Sequence, residues 1–191
     1  MIETLNKFWS VADKEAKRLK VNPSYIFDPV GLILVRPLEN MGYESTPINS
    51  LTFAQTGGDG VHFSLVSSQG EISDSSPVVM TVPMNFGIEN LIVGENLIEF
   101  FCLGERVGYF CLEQLTYNDN KLRTIEWIEH PEIYIEEVYS EDSLESLHQK
   151  EQLLGILRET FGLKSWYKTK SRLEELQNKY MSMLEFRSTF T

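Results

Sequence analysis

An acid and an imidazole stand three residues apart at a glycine-rich turn in this chain. The turn reads Thr56-Gly57-Gly58-Asp59-Gly60, and Val61-His62 follow it. A histidine at the start of a strand has the chemistry of a general base or a metal ligand, and Asp59 is near enough in sequence to orient it. A base needs a group to act on. No serine, cysteine or second histidine falls at a spacing that would complete a nucleophile pair. The residues favour a hydrogen-bonded structural histidine. The glycines also invite a phosphate. A phosphate loop joins a strand to a helix N-terminus and carries a Lys or Ser/Thr at set spacing. This turn lies between two strand-like segments, with no lysine after it. Calcium needs several oxygen ligands at alternating positions, and Asp59 stands alone. The turn is read as a hairpin loop, with no catalytic residue, cofactor or metal assigned. A small hydrolase-type enzyme using His62 and Asp59 at the hairpin mouth is the rival reading.

The other reactive residues are scattered. Cys102 and Cys111 sit in apolar runs and read as small buried hydrophobes, with a disulfide between them left open. Neither Cys-x-x-Cys spacing nor a Cys/His cluster suggests zinc. His130 and His148 have no interpretable partner in sequence.

The segment from Glu126 to Glu145 is rich in acids and holds no Lys or Arg. Aromatic residues are interleaved with the charge. Such a surface steers a basic protein and anchors it through the aromatics. The bland alternative is a solvated face. The candidate contacts are Trp127, Glu129, Glu132, Tyr134, Glu136, Glu137, Tyr139 and Glu141, together with Asp59 and His62 at what is expected to be an edge of a sheet. The C-terminal cations Lys164, Lys168, Lys170, Arg172 and Lys179 are balanced by Glu174, Glu175 and Glu185. A nucleic-acid footprint needs a larger basic surface.

The elements that position these residues follow from periodicity. Residues 2–20 have an amphipathic helical pattern, with Ile2, Leu5, Trp9, Ala12, Ala16 and Leu19 inward. Residues 31–35 read as a strand ended by Arg36-Pro37. Residues 50–55 and 61–67 alternate in the period of strands with one face in a core. Residues 77–82 form a proline-framed strand, and 91–93 a further short one. Asn85-Phe86-Gly87 turns the chain. Residues 95–103 become helical, with Leu97, Ile98, Phe101 and Cys102 as the stripe, and 108–117 continue as a short helix. Residues 121–140 fit helix or strand, divided by Pro131. Residues 143–161 and 164–186 complete the chain as helices. Strands grouped together and helices grouped together predict an α+β fold with a largely antiparallel sheet. A single domain is expected, with residues 121–191 as a helical extension packed on an α+β core at 1–120.

With 42% hydrophobic residues the chain has enough to fill a core. A formal charge of −11 repels nucleic acid and anionic lipid and attracts basic proteins. Residues 1–4 lack the start of a secretory signal, and no apolar run approaches membrane-spanning length. The cytoplasm is the expected location.

The centre of the chain resembles a known group. The glycine-rich turn and its strand, then Pro77-Val78-Val79-Met80-Thr81-Val82-Pro83, then Val93-Gly94-Glu95-Asn96-Leu97-Ile98-Glu99-Phe100 are similar to the second half of the SUKH superfamily. The resemblance spans about residues 46–104. Members carry a Leu-Pro-x-x-Tyr-x-x-Phe signature after the first helix. Here Asn22-Pro23-Ser24-Tyr25-Ile26-Phe27 has those residue types at compressed spacing. The resemblance implies an α+β fold, no catalysis and a role in binding another protein. In bacteria that partner is often a secreted toxin, commonly a nuclease or deaminase, neutralised inside the producing cell. A basic toxin domain would suit the acidic charge. A third possibility is a structural homodimer anchored by Trp166, Tyr167, Tyr180 and Phe186.

Overall fold

A five-stranded antiparallel sheet carries the site, and the strands follow one another in space in their chain order. The computed structural model describes residues 2–138 and 144–187. The strands are β1 (Ile33–Glu39), β2 (Ser50–Gln55), β3 (His62–Val66), β4 (Val78–Thr81) and β5 (Asn90–Gly94). Six α-helices are present among the described residues. They are α1 (Glu3–Leu19), α2 (Leu97–Gly104), α3 (Asn118–Glu129), α4 (Pro131–Val138), α5 (Leu144–Phe161) and α6 (Thr169–Tyr180). The fold is α+β, as the grouping of strands and helices predicts.

Direct connections between successive strands give this topology. Each hairpin connection returns the chain to the neighbouring strand, so no crossover arises. The two outer strands are protected in different ways. β1 runs through Pro37 rather than stopping there. An edge strand tolerates a residue without an N–H, and the register shifts between Leu34 and Glu39. The exposed edge of β5 is closed by one side chain. Gln177 of α6 accepts from Ile92 N at 2.8 Å and donates to Ile92 O at 2.8 Å, imitating a sixth strand at a single position.

Both faces of the sheet are covered, although the alternation predicts one. On the first face Phe63 packs on Phe100 of α2, with Met80 buried as its cross-strand neighbour. Phe100 is the hub, with ring centroids 4.8 Å from Phe63, 5.0 Å from Tyr109 and 5.5 Å from Phe53. On the second face Thr52, His62, Ser64 and Thr81 are buried too. Cross-strand pairing satisfies them. Thr52 and Ser64 share a hydroxyl hydrogen bond of 2.8 Å, and Thr81 donates to Asn90 Oδ1 at 2.8 Å. Leu51, which alternates with Thr52 in the strand pattern of residues 50–55 and would share an inward face with Phe53, is exposed beside a register shift in β2.

The helices depart from their expected stripes in instructive ways. α1 is capped by Asp74, whose carboxylate accepts from Glu3 N and Thr4 N at 2.9 and 2.8 Å. Phe8, which the stripe omits, is fully buried, while Leu19 is exposed. In α2 Phe100 and Leu103 are buried and Ile98 and Cys102 are half-buried. Residues 110–116 form a 3-10 helix, and residues 121–138 are helical on both sides of Pro131. The last helix is shorter than its pattern. Lys168 is left-handed with φ 58°, which starts α6 at Thr169, and Trp166 instead donates its indole N–H to Glu99 O at 3.0 Å. The chain leaves α6 through a 3-10 turn at Met181–Met183 and continues extended. One buried hydrophobic cluster joins residues from Leu5 to Leu184.

Candidate functional site

The turns of the β2–β3 and β4–β5 hairpins project from the same end of the sheet. His62 pairs with Gln55 and with Thr81, and Thr81 pairs with Asn90, so this row is the last before both turns. Beyond it lies a groove of about 790 Å³. Tyr43, Met84, Phe86 and Phe186 supply its apolar lining, while Glu44, Asp59, Glu89 and Arg187 supply its charge.

Large apolar side chains stand exposed here. Phe86 is 82% and Met84 60% exposed. Large apolar side chains gathered at a surface and rimmed by polar groups mark a contact site. Phe86 lies between Asn85 and Gly87, in a turn that costs nothing to build from polar residues. The turn is also pinned. Asn85 Nδ2 donates to Thr116 O at 2.9 Å, which holds the β4–β5 connection against the 3-10 helix. Three carboxylates face one guanidinium, so the groove is net negative. Glu113, outside the groove, feels the charge of Asp59. Its carboxyl is pushed up by burial, and the charge of Asp59 raises it further.

His62 supports the groove from behind. It is fully buried. Its Nδ1 lies 2.7 Å from Gly60 O, and a carbonyl can only accept, so Nδ1 carries the proton. Nε2 then accepts from the Thr46 hydroxyl at 3.2 Å. The Tyr43 ring stacks on the imidazole with centroids 5.7 Å apart. Gly60 lets this happen. It is left-handed at φ 72°, and a Cβ there would fall 2.8 Å from the Tyr43 hydroxyl oxygen. Of the three turn glycines only Gly57 and Gly60 have positive φ, and Asp59 takes the remaining left-handed position at φ 48°.

Two expectations are corrected here. The turn does not lie at a sheet edge, because β3 is the central strand. His62 is not a contact residue, since no part of it reaches the surface and both ring nitrogens are engaged. Asp59 does line the groove.

Burial lowers the His62 pKa below the ordinary imidazole value of 6.5, partly opposed by the Gly60 carbonyl. The unfolded chain therefore binds a proton that the folded chain rejects. The His62 contribution to stability is present above pH 6.5 and is lost as pH falls from there toward the depressed value. Thermal melts between about pH 7.5 and 5.5 are expected to show falling stability. A His62→Gln variant should flatten that slope, and an unchanged slope would assign it elsewhere.

The acidic segment is mostly occupied with holding helices together. Glu137 and Glu126 pair with Arg123, and Trp127 donates its indole N–H to Glu137 at 3.0 Å. Glu129 caps α6 by accepting from Thr169 N at 2.6 Å. Tyr134 is buried, with its ring 5.2 Å from Trp127, so it too offers no contact surface. Glu132 Oε1 lies 3.5 Å from His130 Nδ1, and Glu136 is exposed. Tyr139 and Glu141 lie outside the described residues. The segment and the groove are thus separate features built on different elements.

A second groove, of about 710 Å³, lies between α2 and α6, and an ion-pair network runs along it. Arg172 reaches Glu95 and Glu99 at 2.7 Å each, and Lys179 pairs with Glu95. Lys179, Tyr180 and Arg172 hold the Glu95 carboxyl down to about 2. Such a network fixes α6 on α2. Cys102 and Cys111 are free thiols, and burial pushes Cys111 up to about 12. Among the described residues no group of three His, Cys, Asp or Glu could hold a metal ion, and no helix is long and apolar enough to cross a membrane.

The groove residues other than Asp59 escape the sequence reading as a set. Tyr43 and Glu44 lie in a loop, Phe86 in a turn and Phe186 at the end of a supposed helix. The one available signal was an aromatic residue placed between Asn and Gly. No family model, curated protein or solved structure matches this chain.

Proposed function

We propose that this chain is a non-enzymatic protein-binding domain whose acid-rimmed groove takes a basic partner protein. The observation that carries this reading is the exposure of Met84 and Phe86 beside Glu44, Asp59 and Glu89. An apolar centre excludes water from the contact, and the charged rim selects partners by sign. The SUKH-like sequence features supply the partner class. In that reading the partner is a basic toxin domain, held inactive in the cytoplasm of the cell that makes it.

The burial of His62 supports binding over turnover at this place. The hydrolase-type reading needs His62 within reach of a substrate, and its ring sits behind Tyr43 with both nitrogens bonded. The homodimer reading loses two of its anchors. Trp166 is bound to Glu99 O and Tyr180 to Glu95 within the same chain.

Affinity capture from the native cell lysate tests the proposal. A basic partner is expected at low salt, with slower association and lower recovery as salt rises through the range where the screening length falls below about 10 Å. Recovery of nothing at low salt counts against it.

A further inference from the structure

The segment after α6 lays a chemically specific pair of side chains into the groove. Leu184 is extended, with φ −71° and ψ 127°, and nearly buried. Glu185 O accepts from Ile48 N at 2.7 Å, and Glu185 N donates to Asn49 Oδ1 at 3.1 Å. Asn49 Nδ2 donates to Met183 O at 2.8 Å. Backbone and amide bonds thus guide residues 183–185 along the loop before β2, as they would guide a bound peptide. Phe186 then joins Tyr43, Met84 and Phe86 in the lining, and Arg187 joins Glu44, Asp59 and Glu89. One groove thus holds an aromatic residue beside its apolar wall and a cation beside its acidic rim.

Successive side chains of an extended strand point to opposite sides, so one dipeptide can address both chemistries at once. Phe186 is 46% exposed, which is shallow for an aromatic residue that belongs to a core. The contact is shallow enough to be exchanged.

Building on the docking function proposed above, we infer that the groove recognises an extended segment carrying an aromatic residue followed by Arg or Lys. Phe186-Arg187 is its internal competitor. A partner segment of this type displaces the chain's own pair and inherits the same wall and rim. Because only the vacated groove can bind, apparent affinity is reduced by the fraction of time the internal pair is seated.

The test uses the full chain and a fluorescent peptide of sequence Met-Leu-Glu-Phe-Arg with an amidated end. Anisotropy titrations compare the native chain with a Phe186→Ala, Arg187→Ala double variant. Both residues are exposed, so the fold is expected to survive, and circular dichroism checks it. The variant should bind the peptide at least about tenfold more tightly than the native chain, as expected if the internal pair is seated about nine-tenths of the time. A peptide ending Glu-Ala-Ala should bind the variant at least about tenfold more weakly than the first peptide, because both anchors are gone. Equal binding to native and variant chains overturns the inference, as does equal binding of the two peptides or no binding to the variant. Phe186→Ala alone gives a second check. It should recover part of the gain, and no gain would contradict the role of the ring. These outcomes are separable from the docking proposal. A basic partner captured equally by native and variant chains, with no peptide binding, leaves docking standing and removes the inference. Peptide binding as described, with no partner recovered from lysate, does the reverse.

Discussion

Replacing Phe86 with alanine is expected to weaken capture of the partner by roughly thirtyfold, about 2 kcal/mol, while leaving the fold almost untouched. The side chain is 82% exposed, so little packing is lost when it is removed. Exposed substitutions of this kind normally change folding stability by no more than about 0.5 kcal/mol. Binding depends on it differently. Phe86 is the most exposed apolar side chain in the groove, and a bound partner gains most by covering it. Trp127→Ala makes the contrast. That indole bonds to Glu137 and packs on Tyr134, so its loss should loosen α3 from α4 and spare capture. Titration of both variants against the captured partner, beside thermal melts, reads the two effects separately. Equal loss of capture in both would move the contact toward the acidic helices.

Phe100→Ala should cost about 3–5 kcal/mol of folding stability. Phe100 is fully buried and touches the rings of Phe53, Phe63, Phe101 and Tyr109. It therefore ties β2, β3, α2 and the connection beyond α2 into one cluster. Removing the ring leaves a cavity bordered by stiff aromatic neighbours, which collapse poorly into it. A domain holds only about 5–15 kcal/mol in total, so the variant should unfold at markedly lower denaturant concentration. Phe100→Leu keeps much of the volume and should recover most of the loss. A midpoint within experimental scatter of the native value would show that this cluster is not the centre of the core.

The turn chemistry and the strand periods made the sheet legible. Gly57, Gly60, Pro77 and Pro83 punctuate the chain where the strands change direction, and the hairpin follows from them. Residues 121–138 were ambiguous because Ile125 and Ile128 fit a helix face while Ile133 and Ile135 fit either period. Packing against neighbouring helices resolves such runs, and periodicity alone does not. The two-sided burial of β3 was hidden for a related reason. His62 and Ser64 look solvent-facing by type, and only cross-strand partners such as Thr46 and Thr52 make them fit inside. The internal partners of the acidic segment were hidden as well. Its charges read as an open surface, whereas Arg123 and the backbone of Thr169 had claims on them. The groove was the least legible part. It is assembled from Tyr43, Asp59, Phe86 and Phe186, which lie on four separate segments. Nothing in their local sequence announces that they meet.

Hydrogen exchange of the full chain, alone and with its captured basic partner, addresses the central claim most directly. Slower exchange is predicted in residues 43–45, 58–60 and 84–90, with α3 and α4 unchanged. Protection confined to residues 126–138, or absent from the turn end of the sheet, would contradict the account.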